Sequence, residues 1–581
     1  MCRTDGRDED MGEKIALRGW LAASRNMKIT CLGEYMDLGV CVQYRNLLNK
    51  FPQDQIFLSY ADQVSFLDGY VYNKDEFLCP EGFGQWPESF SCSLLKDRTA
   101  HFRKLRGAFC GYFYDKETDQ VTAYTDQVSN KALYYYVDGD RWILSNYVDF
   151  IVRVLRANGI PYQFDETAAK YMLSYGYMLD DSTYVKEIRR LLPGCYATIT
   201  GDGADITQYY KLQCHEQSMT EDEALLKLDG AFRQAVAREF EKDKEYGYRH
   251  LVDLSAGLDS RMVCWVAHDM GYTEQTNLSY SKLGYRDDVI SGKIARHLGH
   301  EYLFRALDDV RWMYDVDEMT LKNNGAAICH GMTGGNRMLR CVNMEQYGIE
   351  HTGIIGGPTM ASYYKDRATA YAKPQFGLNA YSTKLGYTFD EKVLAQHETQ
   401  EAFAMNTRGL LGMQVSYMTR QNYIECTSPF ADVDMLETAF SIPYEYRVDD
   451  KLYMRWIAEK YPGAAEFGWE KWGGVKPKKS HIFFRKVKTT QRLCSAHVRR
   501  LLHRADPDSM NPMDYWYGRD EKVRAYLDGM YEERIGSAVL SKELAEDMRR
   551  LYREGAFTEK SLVLTVLSAV HLYFEGGTAK V

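Results

Sequence analysis

A short loop of serine, glycine and aspartate separates a predicted strand from a predicted helix in the second half of the chain. It runs from Ser255 to Ser260 within "HLVDLSAGLDSRMVCWVAHDMGY". A strand that ends in small and hydroxyl residues and restarts as a helix leaves backbone N–H groups unpaired, and these favour an anion. Asp259 can add a metal ligand and Ser260 a hydroxyl for a phosphate oxygen. The loop predicts a phosphate site for a nucleotide, with an ordinary tight turn as the alternative for the motif alone.

The elements around this loop alternate between strands and helices. Four segments read as strands and are separated by helices such as "DDVISGKIARHLG": "HLVDLS", "TNLSYS", "EYLFRAL" and "EHTGIIG". Such alternation predicts a parallel sheet covered on both faces. Ligands of these sheets bind at the carboxyl ends of the strands, which is where the loop falls. The last hundred residues are predicted to be helical.

The first half of the chain reads instead as many short strands. Asp165 is a predicted N-cap of an interrupting helix, and Thr220 with Glu223 forms a predicted capping box at the start of the second half. We therefore expect an extension over 1–27, a β-rich domain over 28–212 and a second domain over 220–581. The predicted strands are "ITCLGEY", "GVCVQYR", "QIFLSY", "VSFLDGYVYN", "AFCGYFYD", "VTAYTD", "ALYYYV", "RWILSN" and "YATIT".

Composition limits the classes to which the protein can belong. A length of 581 residues with 45% hydrophobic and 26% charged residues predicts two globular domains. The 13 cysteines are odd in number and never spaced C-x-x-C, which favours a reducing, cytoplasmic setting. No apolar run reaches the ~20 residues that cross a membrane, and 562–574 is predicted to be a buried helix. A net charge of −9 makes a general nucleic-acid binder unlikely.

One strongly basic segment stands out against that net charge. The stretch from Lys471 to Arg504 holds eleven lysines or arginines and no acidic residue. It is either a solvated surface or a cationic lid that closes over phosphates. The turn-forming "GGVKPKK" at its start suits a hinge.

The loop and its surroundings resemble a known family. Ser255–Ser260 resembles the pyrophosphate loop S-G-G-x-D-S of ATP pyrophosphatases, and the flanking sequence resembles the asparagine synthetase family. In the second half this rests on "LSYSKLGYRDDVISGKIARHLGHEYLFRAL", "ECTSPFADVDMLETAFSIP", "DDKLYMRWIAEKYP" and "FGWEKWGGVKP". In the first half it rests on "LRGAFCGYFYDKETDQVTAYTDQVSNKALYYYVDGDRWILSN" and "IRRLLPGCYATIT". The similar segments occur in the family's order, from about Lys28 to Phe574.

The resemblance implies a fold and an activity. The fold is an N-terminal-nucleophile-hydrolase-like α/β/β/α sandwich, followed by a doubly wound parallel-sheet domain of the adenine-nucleotide alpha hydrolase type with a helical C-terminus. The implied activity is an ATP- and Mg²⁺-dependent ligase that adenylates a carboxylate, releasing pyrophosphate, after which ammonia or another amine displaces AMP. The expected partners are a small-molecule carboxylate and an amine, with no membrane, and a homodimer is left open.

The resemblance also assigns site residues. The implied catalytic residues are Lys451, Glu425 and Lys471, and the implied metal ligand is Asp259. On the residues alone, Glu425 can equally be an ion-pair partner and Lys451 a surface lysine, whereas two flanking tryptophans predict partial burial of Lys471. ATP would contact Leu254, Ser255, Gly257, Leu258, Asp259, Ser260 and Leu278.

Two departures from the family pattern affect its chemistry. Cys2 stands where the family has its glutaminase nucleophile, but a charged stretch follows it, and Asp68, Gly69 and Tyr70 replace the glutamine-binding Asn-Gly-Glu. These features predict that the glutaminase is lost. The family's second acidic metal loop aligns with "IIGGPTMAS", which has no acid at Gly357, Met360 or Ala361. Two alternatives to the amide-forming ligase therefore stay open: a glutamine-hydrolysing asparagine synthetase, and a non-catalytic nucleotide- or partner-binding protein.

Overall fold

Two antiparallel sheets of six strands each form the first half of the molecule. The computed structural model describes residues 15–60, 62–78, 85–478 and 509–579. The strand orders are β10-β8-β9-β1-β3-β2 and β12-β11-β7-β6-β5-β4. The strands are β1 Gly19–Ser24, β2 Met36–Asp37, β3 Cys41–Asn46, β4 Ile56–Ser59, β5 Gln63–Val71, β6 Gly107–Asp115, β7 Gln120–Thr125, β8 Leu133–Asp138, β9 Arg141–Ser145, β10 Arg189–Leu191, β11 Cys195–Thr200 and β12 Gly203–Gln208.

The inner faces of the two sheets share one hydrophobic core. Trp20 of β1 meets Phe66 of β5 edge to face at 4.8 Å, and the core continues through strands of both sheets. Helices cover the two outer faces, so the half has four layers, as expected from the sequence. These helices are α1 Trp86–Lys96, α2 Arg98–Lys104, α3 Val148–Ala157 and α4 Glu166–Tyr175.

The start of this half differs from the sequence prediction. Strand β1 precedes the predicted boundary at residue 28 and lies between β9 and β3, with every residue buried. Its sequence "GWLAAS" lacks alternation because both faces are covered, so the period-2 pattern could not reveal it. The predicted strand "ITCLGEY" is wrong, since Thr30–Leu32 forms a 3₁₀ turn there. The predicted N-cap is confirmed: Asp165 accepts from the N–H groups of Thr167 and Ala168.

A five-stranded parallel sheet organises the second half. Its order is β15-β14-β13-β16-β17, so the order reverses between β13 and β16. Ligands of such sheets bind in the crevice at this reversal. Three of the four strands expected from the sequence are confirmed, and the fourth, expected over 350–356, lies earlier, because β16 is Tyr347–His351. Strand β17 was missed because it has only three residues. The strands are β13 Arg249–Asp253, β14 Gln275–Ser281, β15 Glu301–Ala306, β16 Tyr347–His351 and β17 Glu425–Thr427.

Helices surround this sheet and continue to the C-terminal end of the described chain. The capping box of Thr220 and Glu223 is present at the first of them. They are α5 Glu221–Glu245, α6 Asp259–Asp269, α7 Arg286–Leu298, α8 Val316–Lys322, α9 Thr333–Leu339, α10 Gly356–Met360, α11 Arg367–Ala370, α12 Lys392–Ala395, α13 Gln400–Ala404, a π-helix Met405–Met413, α14 Val415–Arg420, α15 Val433–Ser441, α16 Tyr444–Arg447 and α17 Lys451–Lys460.

The C-terminal region is helical, as predicted. Its described helices are α18 Met513–Arg519, α19 Glu521–Arg534, α20 Lys542–Glu554 and α21 Phe557–Phe574. Helix α21 is buried along most of its length, which confirms the prediction for 562–574. Among the described helices, none is both long and apolar enough to cross a membrane.

Candidate functional site

The loop from Ser255 to Ser260 joins β13 to α6 at the reversal of the sheet order. The N–H of Ser255 donates to Ser260 Oγ at 2.9 Å, and the two serine hydroxyls lie 2.8 Å apart. The N–H of Gly257 donates to Ser255 Oγ at 3.1 Å, and that of Ala256 to Asp287 Oδ1 at 2.7 Å. The loop is thus a rigid, hydroxyl-rich turn that leads into a helix N-terminus, an arrangement that suits an anion.

A buried arginine holds this loop from behind. Arg261 is fully buried, and its guanidinium donates to the carbonyls of Ala256 at 3.1 Å, Ala464 at 3.0 Å and Gly468 at 2.5 Å. Burial lowers the pKa of Arg261 to about 10, so it is still charged at neutral pH. Sequence reasoning missed this residue, although an arginine inside an otherwise apolar helix was a signal.

Asp259 is the carboxylate of the loop. Its Oδ1 accepts from the Tyr453 hydroxyl at 3.0 Å. Burial raises the pKa of Asp259 to about 6, with Asp450 adding to the rise, while the Tyr453 hydrogen bond and the charge of Lys471 oppose it. The groups available to a metal or phosphate here are therefore the half-buried carboxylate of Asp259, with the charges of Asp450 and Lys471 acting on it.

Two glycines after β16 allow the chain to approach the loop closely. A Cβ on Gly353 would lie 2.3 Å from the Ser260 nitrogen, and one on Gly356 would lie 2.6 Å from Asp259 Cγ. The segment aligned with the family's acidic loop therefore does lie against Asp259. Because Gly357, Met360 and Ala361 carry no carboxylate there, any second acidic group has to come from elsewhere. Asp287 accepts from the loop N–H of Ala256, and the charge of Asp450 adds to the raised pKa of Asp259.

A cavity of about 440 Å³ opens beside the loop, within the size range of small-molecule sites. Six of the predicted nucleotide residues line it: Leu254, Ser255, Gly257, Asp259, Ser260 and Leu278. The seventh, Leu258, is 2% exposed and packs into the core at the start of α6, so it does not face the cavity. The structure thus brings six of the seven together.

The predicted catalytic residues are placed differently from one another. Lys471 Nζ lies 2.5 Å from Asp450 Oδ2, which sets it beside Asp259, and its side chain is 55% exposed. The two flanking tryptophans are buried themselves and bury Lys471 only in part. Lys451 is exposed as well, and its Nζ donates to the Glu445 carbonyl at 3.4 Å. Neither lysine lines the cavity.

Glu425 lies outside the cavity. It is fully buried on β17, and its Oε1 accepts from Lys131 Nζ at 2.8 Å, while Lys131 also reaches Asp68 at 3.2 Å. Both of these partners belong to the first half of the chain. The position of Glu425 therefore fits the alternative that it is an ion-pair partner, and the partner is Lys131 rather than an arginine.

Two predictions fall on parts of the chain that the structure does not describe. Cys2 lies before residue 15, and residues 479–504 of the basic segment lie between the described ranges. Within the described part of that segment, Lys476 and Lys478 both pair with Glu466.

The far side of the cavity is formed by residues that sequence reasoning missed. Gly176 and Tyr177 come from the first half, and Arg408 from the π-helix. The Arg408 guanidinium lies 5.5 Å from the ring centre of Tyr363 and 5.8 Å from that of Tyr381, and no described carboxylate pairs with it. Contacts between such distant segments leave no signal in a single sequence.

The floor of the cavity contains a buried ion network. Arg420 donates to Glu350 and lies 3.2 Å from Asp253 Oδ2. Burial raises the pKa of Glu350 to about 8; Arg420 opposes the rise and Asp253 adds to it. Arg420 is therefore already shared between two acids.

A second buried network lies on the other side of the sheet. His351 places Nδ1 3.0 Å from Glu239 and Nε2 2.8 Å from Asp243, and Asp243 also pairs with His250 at 3.1 Å. Burial alone would lower the pKa of His351, but the hydrogen bonds with Asp243 and Glu239 raise it to about 9. Asp243, His250 and His351 have the residue types of a metal site. Because both ring nitrogens of His351 already donate to carboxylates, the group is a charged clamp between α5 and β16.

Comparison with known proteins identifies an amidotransferase domain in the first half of the chain. Residues 96–210 match a family described as glutamine amidotransferase domain. Over 275 residues the chain is 23% identical to "asparagine synthetase (glutamine-hydrolyzing) 1" of Bacillus subtilis (strain 168). That match covers 45% of this chain and 42% of the relative, so it spans less than half of either protein.

Two solved structures are similar at a lower level. One is an allosteric regulatory enzyme of purine biosynthesis, with 11% identity and a TM-score of 0.24, covering 50% of this chain and 74% of the other. The second is the glutamine phosphoribosylpyrophosphate amidotransferase of B. subtilis in complex with ADP and GMP. It has 10% identity and a TM-score of 0.23, with coverages of 50% and 85%.

Proposed function

Since the chain belongs to an asparagine synthetase-like family, we propose that it is an ATP-dependent, amide-forming ligase that adenylates a carboxylic acid. The observation that carries this proposal is the Ser255–Ser260 loop, with Asp259 facing a cavity at the reversal of the sheet order. Pyrophosphate leaves readily only where its growing charge meets N–H donors, a cation and a metal. The loop and Lys471 supply the first two.

The proposed reaction has two steps. An oxygen of the acid attacks the α-phosphorus of ATP, and the bond to the β-phosphate breaks, releasing pyrophosphate. An amine nitrogen then attacks the acyl carbon, AMP leaves with the bonding electrons, and the nitrogen loses a proton. During the first step the helix N-terminus and Lys471 stabilise charge on the leaving group.

Magnesium suits the residues that are present. Mg²⁺ takes one or two carboxylates together with phosphate oxygens and water, and Asp259 with Asp450 offers that number. When bound, it would neutralise part of the triphosphate charge. The raised pKa of Asp259 fits a carboxylate that lacks a cationic partner of its own.

Glutamine is not the proposed nitrogen donor. Where the family binds glutamine, Asp68 is paired with Lys131, and the cavity beside them measures about 20 Å³. That volume holds roughly one water molecule. Free ammonia or a substrate amine is the proposed donor. The second candidate is a glutamine-hydrolysing asparagine synthetase, which the matched amidotransferase domain and the named relative favour.

ATP–pyrophosphate exchange, screened over carboxylic acids, tests the proposal. The exchange reaction needs only ATP, pyrophosphate and the acid, so it reports adenylation even when the amine is not known. Asp259→Ala should abolish exchange and weaken ATP binding. The control is Asp205→Ala, which removes an exposed aspartate on the edge strand β12. Unchanged exchange and unchanged ATP affinity in a folded Asp259→Ala protein would refute the proposal and favour a non-catalytic binding protein.

A further inference from the structure

The far side of the cavity is completed by the amidotransferase-like half. The N–H of Ile328 donates to the Gly176 carbonyl at 2.9 Å, and the N–H of Met178 donates to the Ala326 carbonyl at 3.3 Å. Between these bonds Tyr177 forms an antiparallel bridge with Ala327. Two segments some 150 positions apart thus form a short ladder at the edge of the cavity.

Close packing fixes the ring of Tyr177. A Cβ on Gly412 would lie 3.0 Å from the Tyr177 ring, and one on Gly176 would lie 2.2 Å from the ring of Tyr381. Gly176 also has a φ of +73°, which favours glycine. Tyr177 is 3% exposed, so it is a fixed part of the wall.

The wall around Tyr177 is apolar and aromatic. Apolar and aromatic residues that line the cavity besides Tyr177 are Tyr280, Ile328, Met332, Tyr381 and Met413, with Asn323 and Ser416 among the polar ones. Such a surface binds an apolar body and gives no hydrogen bonds in exchange for the hydration of a charged group.

The cations that line the cavity match a single carboxylate. Arg408 is the one lining cation without a carboxylate partner among the described residues, because Arg420 is shared by Asp253 and Glu350. A second carboxylate on the floor would meet those two acids.

We propose that the acyl substrate of this site is a monocarboxylic acid with an apolar body of aromatic size, seated against Tyr177 with its carboxylate directed to Arg408. This inference rests on the proposed function, because it assumes that the bound acid is adenylated. Binding of the acid can be measured without adenylation. It gives the amidotransferase-like half a role in specificity without any glutamine chemistry. It also excludes aspartate and other dicarboxylates as preferred substrates.

The test measures binding and adenylation separately. Direct binding of 3-phenylpropionate, aspartate and succinate is measured by calorimetry, and the same acids are screened in ATP–pyrophosphate exchange. We expect 3-phenylpropionate to bind at least about tenfold more tightly than either dicarboxylate. Equal or tighter binding of aspartate would overturn the inference.

Matched variants identify the wall residue. Tyr177→Leu should weaken 3-phenylpropionate binding by about tenfold or more and leave ATP affinity unchanged, while Tyr177→Phe, which keeps the ring, should restore it. The control is Tyr184→Leu, another buried tyrosine of the first half that does not line the cavity. Equal effects of the two leucine variants would overturn the role of Tyr177.

The two measurements separate failure of the inference from failure of the proposed function. Tyr177-dependent binding of the apolar acid without any exchange would uphold the inference and refute adenylation. Exchange that is supported by aspartate and insensitive to Tyr177→Leu would uphold adenylation and refute the inference.

Discussion

Replacing Lys471 by alanine tests the most highly charged step of the proposed reaction. The Lys471 ammonium pairs with Asp450 at 2.5 Å, but the side chain is 55% exposed, and exposed pairs contribute only ~0–1 kcal/mol to stability. The variant should therefore fold. Loss of one preorganised group at a developing charge costs ~2.7–4 kcal/mol, so kcat should fall ~10²–10³-fold. Affinity for ATP should change far less, because the charge is needed chiefly in the transition state.

The assay is pyrophosphate release at saturating ATP and acid, together with ATP affinity measured by calorimetry. Lys451→Ala is the control that the structure offers. Both lysines are exposed, but the charge of Lys471 lowers the pKa of Asp259, whereas Lys451 contacts the Glu445 carbonyl. The kcat of Lys451→Ala should stay within about twofold of wild type, in line with the small effects of surface substitutions. Normal turnover of Lys471→Ala would refute the proposal that Lys471 stabilises charge on the leaving pyrophosphate. An equal loss in Lys451→Ala would show that the family's lysine acts there after all.

Three further predictions concern groups outside the cavity. The raised pKa of His351 means that its stabilising charge is fully present below pH 6.5 and is lost as pH rises to about 9. Urea unfolding should therefore show a fall of roughly 3 kcal/mol over that range, and His351→Gln should flatten the profile. Glu425→Gln should destabilise the fold by ~3 kcal/mol, because it weakens the pairing of Lys131. The rate of ATP–pyrophosphate exchange by the folded variant should stay within about twofold of wild type. A larger loss of exchange would support a catalytic role for Glu425. Glutamine should yield no glutamate, whereas hydrolysis that Cys2→Ala abolishes would favour the glutamine-hydrolysing alternative.

Local patterns explain what could be predicted from the sequence. The Ser255–Ser260 loop could be located because strand, small residues and helix follow one another within a few positions. Six of the seven residues expected to contact a nucleotide line the cavity. The N-cap at Asp165 and the capping box at Thr220 were found for the same reason. Strand β1 was missed because burial on both faces removes the alternation on which strand prediction depends.

Contacts between distant segments could not be predicted. Tyr177 and Ala327 are far apart in sequence, and their pairing depends on how the two halves pack. The position of a long side chain also depends on distant neighbours. Lys451 and Lys471 lie on neighbouring segments of the sequence, but it is Lys471 that pairs with Asp450 and whose charge lowers the pKa of Asp259. A family resemblance transfers positions along the chain, whereas side-chain placement depends on neighbours such as Asp450.

Buried charges give the amidotransferase-like half a structural role that does not depend on glutamine chemistry. Asp54 is fully buried and pairs with two lysines: its Oδ1 lies 2.8 Å from Lys74 Nζ, and its Oδ2 lies 2.8 Å from Lys242 Nζ. Its Oδ1 also accepts from the Tyr246 hydroxyl at 2.6 Å. Lys242 and Tyr246 belong to the second half. Without the first half, Lys242 would lose Asp54 and Glu425 would lose Lys131. Removing one partner of a buried pair typically costs ~3–5 kcal/mol, which is comparable to much of a domain's stability. Through these pairs and Tyr177, the first half supports the fold of the second and forms part of its cavity, and neither role requires a working glutaminase.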